Sequence, residues 1–384
     1  MISDVANVQL KETRKISYAQ FALIALVLFL ASKVCTLPSV LAGEAGAKSL
    51  WVVLLLFFYD CLILFFAAKT ARQGGLFSLE IPMGWKTAAA IPLLLFFSLK
   101  LAAFTREIST YYALSLFENV PVLPISLILL VFLCLFAHKG FSALGRVLEV
   151  FVWLFVFVFL FVIIFTRTEG DLFNALAIFS PDFDKVGSGL FRALGWFGDT
   201  ALIQFLDLRG TSDLPAVKEA PKRQGAKARR KVIFAAALVS FLLLATFYAV
   251  FTSVYGEAAK MTDYAFIKLS AFRANTDELG SADWPMITLW SVISFSYLAL
   301  LLEGGKECAV GLFRKEGEKA GRTAFVLLSA FALLFSFLLL DEAKAYETFM
   351  TKAMNVMTLV AGAVTVAVGA AAIHLDKEKY EKQN

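Results

Sequence analysis

The sequence predicts an all-α integral membrane protein of about ten transmembrane helices, a 5+5 inverted repeat with discontinuous helices 1 and 6. Three observations predict it. Hydrophobic residues make up 59% of the 384 residues and charged residues only 17%, with mean hydropathy +0.75, more apolar than a soluble domain. The apolar residues, 39 Phe among them, gather in runs near the ~20 residues that cross a bilayer. The first and sixth runs are interrupted by residues that a straight buried helix rejects.

Taken in order, the spans are predicted at 16–41, 50–68, 86–117, 122–137, 144–166, 189–208, 231–255, 284–302, 323–340 and 351–374. Residues 1–15 are then an N-terminal tail, 16–374 one transmembrane domain and 375–384 a C-terminal tail. The polar start shows no small-residue cleavage site before the first run, so that run is expected to stay as a helix. Basic residues recur at every second connection. Lys11, Arg14 and Lys15 precede span 1, Lys69 and Arg72 follow span 2, and Lys139 and Arg146 flank the turn into span 5. KEAPKRQGAKARR (218–230) precedes span 7, and Lys315 and Lys319 precede span 9. The alternate connections are acidic, with Glu169, Asp171, Asp182 and Asp184, then Asp277, Glu278 and Asp283. This positive-inside pattern places both termini on the cytoplasmic side of the cell membrane. The basic loop at 210–230 serves as a topology anchor or meets anionic lipid or a partner.

Span 6 lies in LFRALGWFGDTALIQFLDLR (190–209). Gly195 and Gly198 cost roughly 1 kcal/mol each against alanine in a helix interior, and a central carboxylate, Asp199, costs about 2.5–3.5 kcal/mol on insertion scales. Span 1 carries ASKVCTLP (31–38), where Pro38 removes a backbone donor and disfavours helix at Leu37. Five spans per half is an odd number, so the second half enters from the opposite side and span 6 is the counterpart of span 1. Corresponding broken segments point to a small-molecule site near the bilayer midplane. Span 3 would rise about 48 Å, more than the ~30 Å hydrocarbon core, so it must tilt or project. Lys100, Phe104, Glu107 and Tyr111 share one stripe of it, with Arg106 about 100° away.

An unwound segment frees backbone groups that are tolerable only beside a cavity or other protein. Asp199 and the carbonyls around Gly195, Trp196, Phe197 and Gly198 suit an ammonium group, and the amides from Cys35 and Thr36 to Ser39 suit a carboxylate. A small-molecule nutrient of amino-acid type offers both charges, and Trp196, Phe197 and Phe104 would wall its side chain. Other readings stand beside this one. Asp199 would pair structurally with Lys33 or Lys100, or couple protons, and the glycines would allow close helix packing. Five further ionisable residues lie at membrane depth: Lys33, Asp60, Lys100, Arg106 and Glu107. Such groups pair or line a water path, here as Lys33 with Asp60 and Lys100 or Arg106 with Glu107. Glu303 is expected at the interface. The four cysteines and two histidines show no metal-ligand spacing, so no metal and no cofactor is expected. No catalytic constellation marks an enzyme, and the expected surroundings are the lipid bilayer, not nucleic acid.

The order of these features resembles the spore germination permeases, the membrane-embedded B subunits of nutrient germinant receptors, within the amino acid–polyamine–organocation superfamily. KISYAQ (15–20) is similar to the family's entry into span 1, and LPSVLAGEAGAKSLWVVLL (37–55) to its signature after it. Arg106 with VPVLP (120–124), GFSALGRVLEV (140–150), the stretch from Gly195 to Asp199, and LWSVISFSYLAL (289–300) resemble further family stretches. Departures are visible: Asp199 stands where the family has Glu, Lys48 and Ser49 replace an acidic residue, and span 1 holds Lys33 in place of glycines. The resemblance implies a site between spans 1, 3, 6 and 8. It also implies A and C receptor subunits as partners, residence in the spore inner membrane, and either germinant sensing or proton-coupled amino acid transport. In related proton-coupled carriers a buried lysine, here Lys33, stands in for a sodium ion.

Overall fold

A computed structural model describes residues 16–381, apart from 118–119, 138, 167–169, 172–173, 175–176, 180–183, 209–221, 272–282, 314–317 and 341. The predicted N-terminal tail, and most of the basic loop before span 7, lie outside the described residues.

The first half runs α1 (Tyr18–Leu30), α2 (Leu37–Ala45), α3 (Ser49–Arg72), α4 (Met83–Ser115), α5 (Val122–Ala137) and α6 (Gly140–Thr166). The second half runs α7 (Val186–Ala193), a 3₁₀ turn at Leu194–Trp196, a 3₁₀ run at Asp199–Phe205, α8 (Lys222–Tyr255), a 3₁₀ stretch at Gly256–Met261 and α9 (Ala265–Ala271). It continues with α10 (Asp283–Phe313), α11 (Glu318–Leu339), α12 (Ala343–Thr348), a π-helical turn at Phe349–Ala353 and α13 (Met354–Glu381). Among the described residues, seven helices are long and apolar enough to cross a membrane, and α1 and α5 are shorter apolar helices. The count falls short of ten full-length spans for a physical reason. Spans 1 and 6 are each split into short halves, and span 4 is 16 residues long. The two split spans stand first in each group of five, as a 5+5 inverted repeat requires.

Local chemistry explains the ends. Ser17 and Gln20 form a reciprocal capping box at the start of α1, with Gln20 N donating to Ser17 Oγ at 3.1 Å and Ser17 N to Gln20 Oε1 at 3.0 Å. Pro38 does not sit at the break in span 1. It lies in the first turn of α2, where its missing donor costs nothing and its fixed φ favours helix, so the unwound segment is 31–36. α4 is 33 residues long with Pro92 inside. It packs most extensively along α10, while α3 packs on the Asp199–Phe205 run and on α13, and α8 packs on α1. Large apolar side chains such as Phe58, Trp153, Phe157 and Leu338 face outward, the surface a bilayer would cover. The polar exceptions lie inside.

Candidate functional site

The two broken spans meet around four charged side chains, none of them exposed at all. Lys33 comes from the unwound segment of span 1, Asp60 from the middle of α3, Lys100 from the middle of α4, and Asp199 from the start of the 3₁₀ run. Lys33 Nζ lies 3.2 Å from Asp60 Oδ2 and 3.3 Å from Asp199 Oδ2, and Lys100 Nζ pairs with Asp199 Oδ1. Two cations and two carboxylates cancel. Charges buried this deeply are tolerable only when paired and hydrogen-bonded, and the remaining polar atoms are supplied locally. Ser32 Oγ donates to Asp199 Oδ2 at 2.8 Å, and Lys33 Nζ donates to Leu28 O at 2.9 Å. Each ammonium also lies over a ring, Lys33 at 4.9 Å from the Phe197 centroid and Lys100 at 5.1 Å from Phe96.

The broken backbone is paired by the same residues. In span 6 the chain leaves the 3₁₀ turn through an extended Phe197 and reaches Gly198 at φ +86°. A left-handed φ is costly for residues with a Cβ, and the glycine lets its amide point at Asp60 Oδ1, 2.6 Å away. Phe197 O accepts from Lys100 Nζ at 2.7 Å, and Trp196 O lies 3.0 Å from Ser32 Oγ, sharing its one hydroxyl proton with Asp199. In span 1, Lys33 O accepts from the Tyr248 hydroxyl at 2.8 Å. Val34 O and Cys35 O accept from the amides of Phe266 and Ala265 at 3.2 and 2.9 Å. Those two amides follow Tyr264, whose φ of +53° is a strained value for a bulky residue. The strained turn aims the start of α9 at the gap in span 1.

A further buried acid, Glu107 of α4, sits at the start of α2. Glu107 Oε1 accepts from Thr36 N at 3.2 Å and Thr36 Oγ1 at 2.7 Å, and Oε2 accepts from the Tyr346 hydroxyl at 2.7 Å. A carboxylate at a helix N-terminus is favourably placed against the orphan amides and the dipole. Trp196 Nε1 joins the group by donating to Thr36 Oγ1 at 3.3 Å.

The structure therefore brings Lys33, Asp60, Lys100 and Asp199 into one cluster, with Trp196, Phe197 and Gly198 around it and Cys35, Thr36 and Glu107 beside it. Several expectations change. Lys100 turns to Asp199 and not to Glu107, because seven residues of helix separate the two by about 10 Å. Arg106 lies on another face, half-buried, with its guanidinium 5.6 Å from the Phe337 ring centroid. The Thr36 amide meets Glu107, and the carbonyls of Trp196 and Phe197 meet Ser32 and Lys100, where ligand charges were expected. Gly195 packs against span 10: a Cβ there would stand 2.1 Å from Met350 O, beside the π-helical turn. Phe104 is buried edge-on to Tyr297, with centroids 5.2 Å apart. Glu303 is buried within the protein and pairs with Lys306, which also lies 3.3 Å from Glu307. Ser32, Tyr248, Tyr264 and Tyr346 were missed. Only Ser32, next to a buried lysine, carried a signal in the sequence. Among the described residues, no group of three or more His, Cys, Asp or Glu is placed to hold a metal ion.

Long apolar helices, paired interruptions in spans 1 and 6 and a polar cluster where they meet define a multi-pass membrane protein of transporter-type fold. Solved structures share that fold. MhsT in complex with L-phenylalanine matches 92% of this chain and 88% of its own, at TM-score 0.61 and 15% identity. A sodium-coupled sialic acid symporter, in a substrate-bound outward-open state, matches 95% of this chain and 91% of its own, at TM-score 0.54 and 10% identity. The manganese transporter of Eremococcus coleocola, in complex with an aromatic bis-isothiourea substituted compound, matches 92% and 85%, at TM-score 0.50 and 14% identity. Two of these neighbours are a transporter and a symporter by name, and all three share this chain's fold. No family model matches the chain, and no curated protein matches it.

Proposed function

We propose that the chain binds a small amine-bearing nutrient of amino-acid type where the two broken spans meet, and that it does so without a bound sodium ion. One observation carries the reading. The Lys33 ammonium lies against a main-chain carbonyl, Leu28 O, and between the carboxylates of Asp60 and Asp199. Unwound carbonyls and acids are the setting in which broken-helix carriers hold a coupling cation. Here a tethered cation, the Lys33 ammonium, takes that place. An incoming ammonium group takes Asp199 from Lys100 or Lys33. Glu107 holds the Thr36 amide, where a ligand carboxylate would dock, so a zwitterion must displace Glu107 as well. The L-phenylalanine bound in one structural neighbour supports this ligand class.

Proton-coupled carriage of the amino acid is one outcome of such a site. The other is sensing, as the membrane subunit of a spore germinant receptor with A and C subunits in the spore inner membrane. The stretches resembling germination permeases favour it, and so does the cluster's internal neutrality: the site is electrically complete at rest, and ligand entry breaks its pairs. In either case the loop charges favour cytoplasmic termini, and we read 16–374 as one transmembrane domain.

Purified protein in liposomes tests this. The carrier reading expects uptake of labelled amino acid driven by a proton gradient and unchanged when choline replaces sodium. Binding with no uptake selects the receptor reading. A requirement for sodium would overturn the tethered-cation argument. Unchanged affinity in Asp199→Asn would reject Asp199 as the ammonium partner.

A further inference from the structure

About a quarter-turn around α3 from Asp60, a second feature opens to the outside of the bundle. It is a groove of about 690 Å3 between α3 and α8. Its walls are apolar, with Phe58, Phe65 and Phe234 each more than half exposed. Its closed end is the edge contact of Phe57 with Phe241, centroids 5.4 Å apart. Its other end is basic. Lys69 and Arg72 line it from the last turn of α3, and Lys231 is exposed on α8 just before Ile233, which also lines the groove. The Lys69 ammonium lies 5.5 Å from the Phe65 ring centroid, so this cation sits at the boundary between apolar wall and polar rim.

The length of the groove identifies its occupant. From Phe57 to Arg72, α3 rises about 22 Å. Half of a bilayer's ~40–45 Å total thickness is the same distance. The groove thus covers the depth of one leaflet, from the level of the buried charges to the headgroup layer. Cations cluster at the headgroup end and aromatic rings line the hydrocarbon part. A free anion would use only the basic end and leave the apolar length uncovered.

We propose that this groove is a binding site for one anionic phospholipid, with its phosphate at Lys69 and Arg72 and an acyl chain along Phe58 and Phe65 down to Phe57 and Phe241. Long basic side chains at headgroup depth attract anionic lipid, and the apolar wall adds acyl burial. This does not rest on the ligand proposed for the central cluster.

The test is native mass spectrometry of the full chain in nonionic detergent, titrated with dioleoylphosphatidylglycerol or dioleoylphosphatidylcholine. One phosphatidylglycerol is expected to be retained per chain in preference to phosphatidylcholine. Lys69→Gln with Arg72→Gln should cut that preference by about thirtyfold, the effect of two cations at headgroup depth. Cys61→Trp touches no charge but fills the groove, and should lower phosphatidylglycerol retention about tenfold in a protein that still elutes as one species. Equal retention of the two lipids would overturn the proposal, as would retention indifferent to Cys61→Trp. So would displacement of the lipid by inorganic phosphate, which marks a simple anion site, or a dimer that buries the groove with no lipid bound.

Discussion

Lys33→Met removes one charge from a group of four that sum to zero. The lost attractions are large. At separations of 3.2 and 3.3 Å, each carboxylate attracts the ammonium by about 5 kcal/mol at an effective dielectric of ~20. The native pairing is opposed by the desolvation of the lysine, which the methionine does not suffer. The net cost of stranding a buried charge is about 3–5 kcal/mol, and the two aspartates would face only Lys100. Neutralising a carboxylate as well, in Lys33→Met with Asp60→Asn, restores balance. The double substitution should therefore cost less than the sum of the singles, by about 2–3 kcal/mol, the upper part of the range for contacting residues. Equilibrium unfolding of the four proteins in mixed detergent micelles gives the cycle. A single-variant cost under ~1 kcal/mol, or strict additivity, would refute the pairing of Lys33 with the acids.

Other outcomes follow from the same geometry. Gly195→Ala places a methyl 2.1 Å from Met350 O, a backbone atom that cannot rotate away, so folded yield by size-exclusion chromatography should fall with a cost beyond the ~1–3 kcal/mol of ordinary overpacking. Gly198→Ala adds about 1–2 kcal/mol of left-handed strain and meets the Thr358 methyl at 2.9 Å; its loss of stability should exceed that of Ser188→Ala on the exposed side of α7. Glu107→Gln keeps an acceptor for the Thr36 amide and hydroxyl and should hold stability within ~1.5 kcal/mol, whereas Glu107→Ala leaves them unmet at about 1–3 kcal/mol; thermal unfolding of both variants distinguishes a positioning acid from a dispensable one.

The spans were legible because their apolar length is set by the bilayer, and the break in span 6 because Gly198 and Asp199 each oppose a buried helix. Buried Lys33, Asp60 and Lys100 stood out in apolar runs for the same reason. Their partners did not. Whether Lys100 meets Glu107 on its own stripe or Asp199 on another span depends on how α4 crosses the Asp199–Phe205 run, and no periodicity records a crossing. Proline breaks helix interiors, which makes Pro38 look like the interruption, but at the first turn of α2 it favours helix, and the segment before it unwinds. Tyr248 was invisible because tyrosine is ordinary in an apolar run, and Tyr264 and Tyr346 because they lie in polar connections between spans; each becomes informative only when its hydroxyl meets a loose carbonyl or a carboxylate. Gly195 was legible as a special position, but its reason, the nearby carbonyl of Met350, belongs to a segment far along the chain.

The charge balance of the central cluster also has an electrical meaning. A single charge crossing the membrane field exchanges about 2.3 kcal/mol per 100 mV. Of the four charges, the broken spans carry only Lys33 and Asp199, which sum to zero, so a rearrangement of those two spans that moves this pair together does no work against the membrane potential. The potential gains a grip only when a proton or a charged ligand changes the total. Voltage therefore acts on occupancy of the cluster and leaves its resting geometry alone.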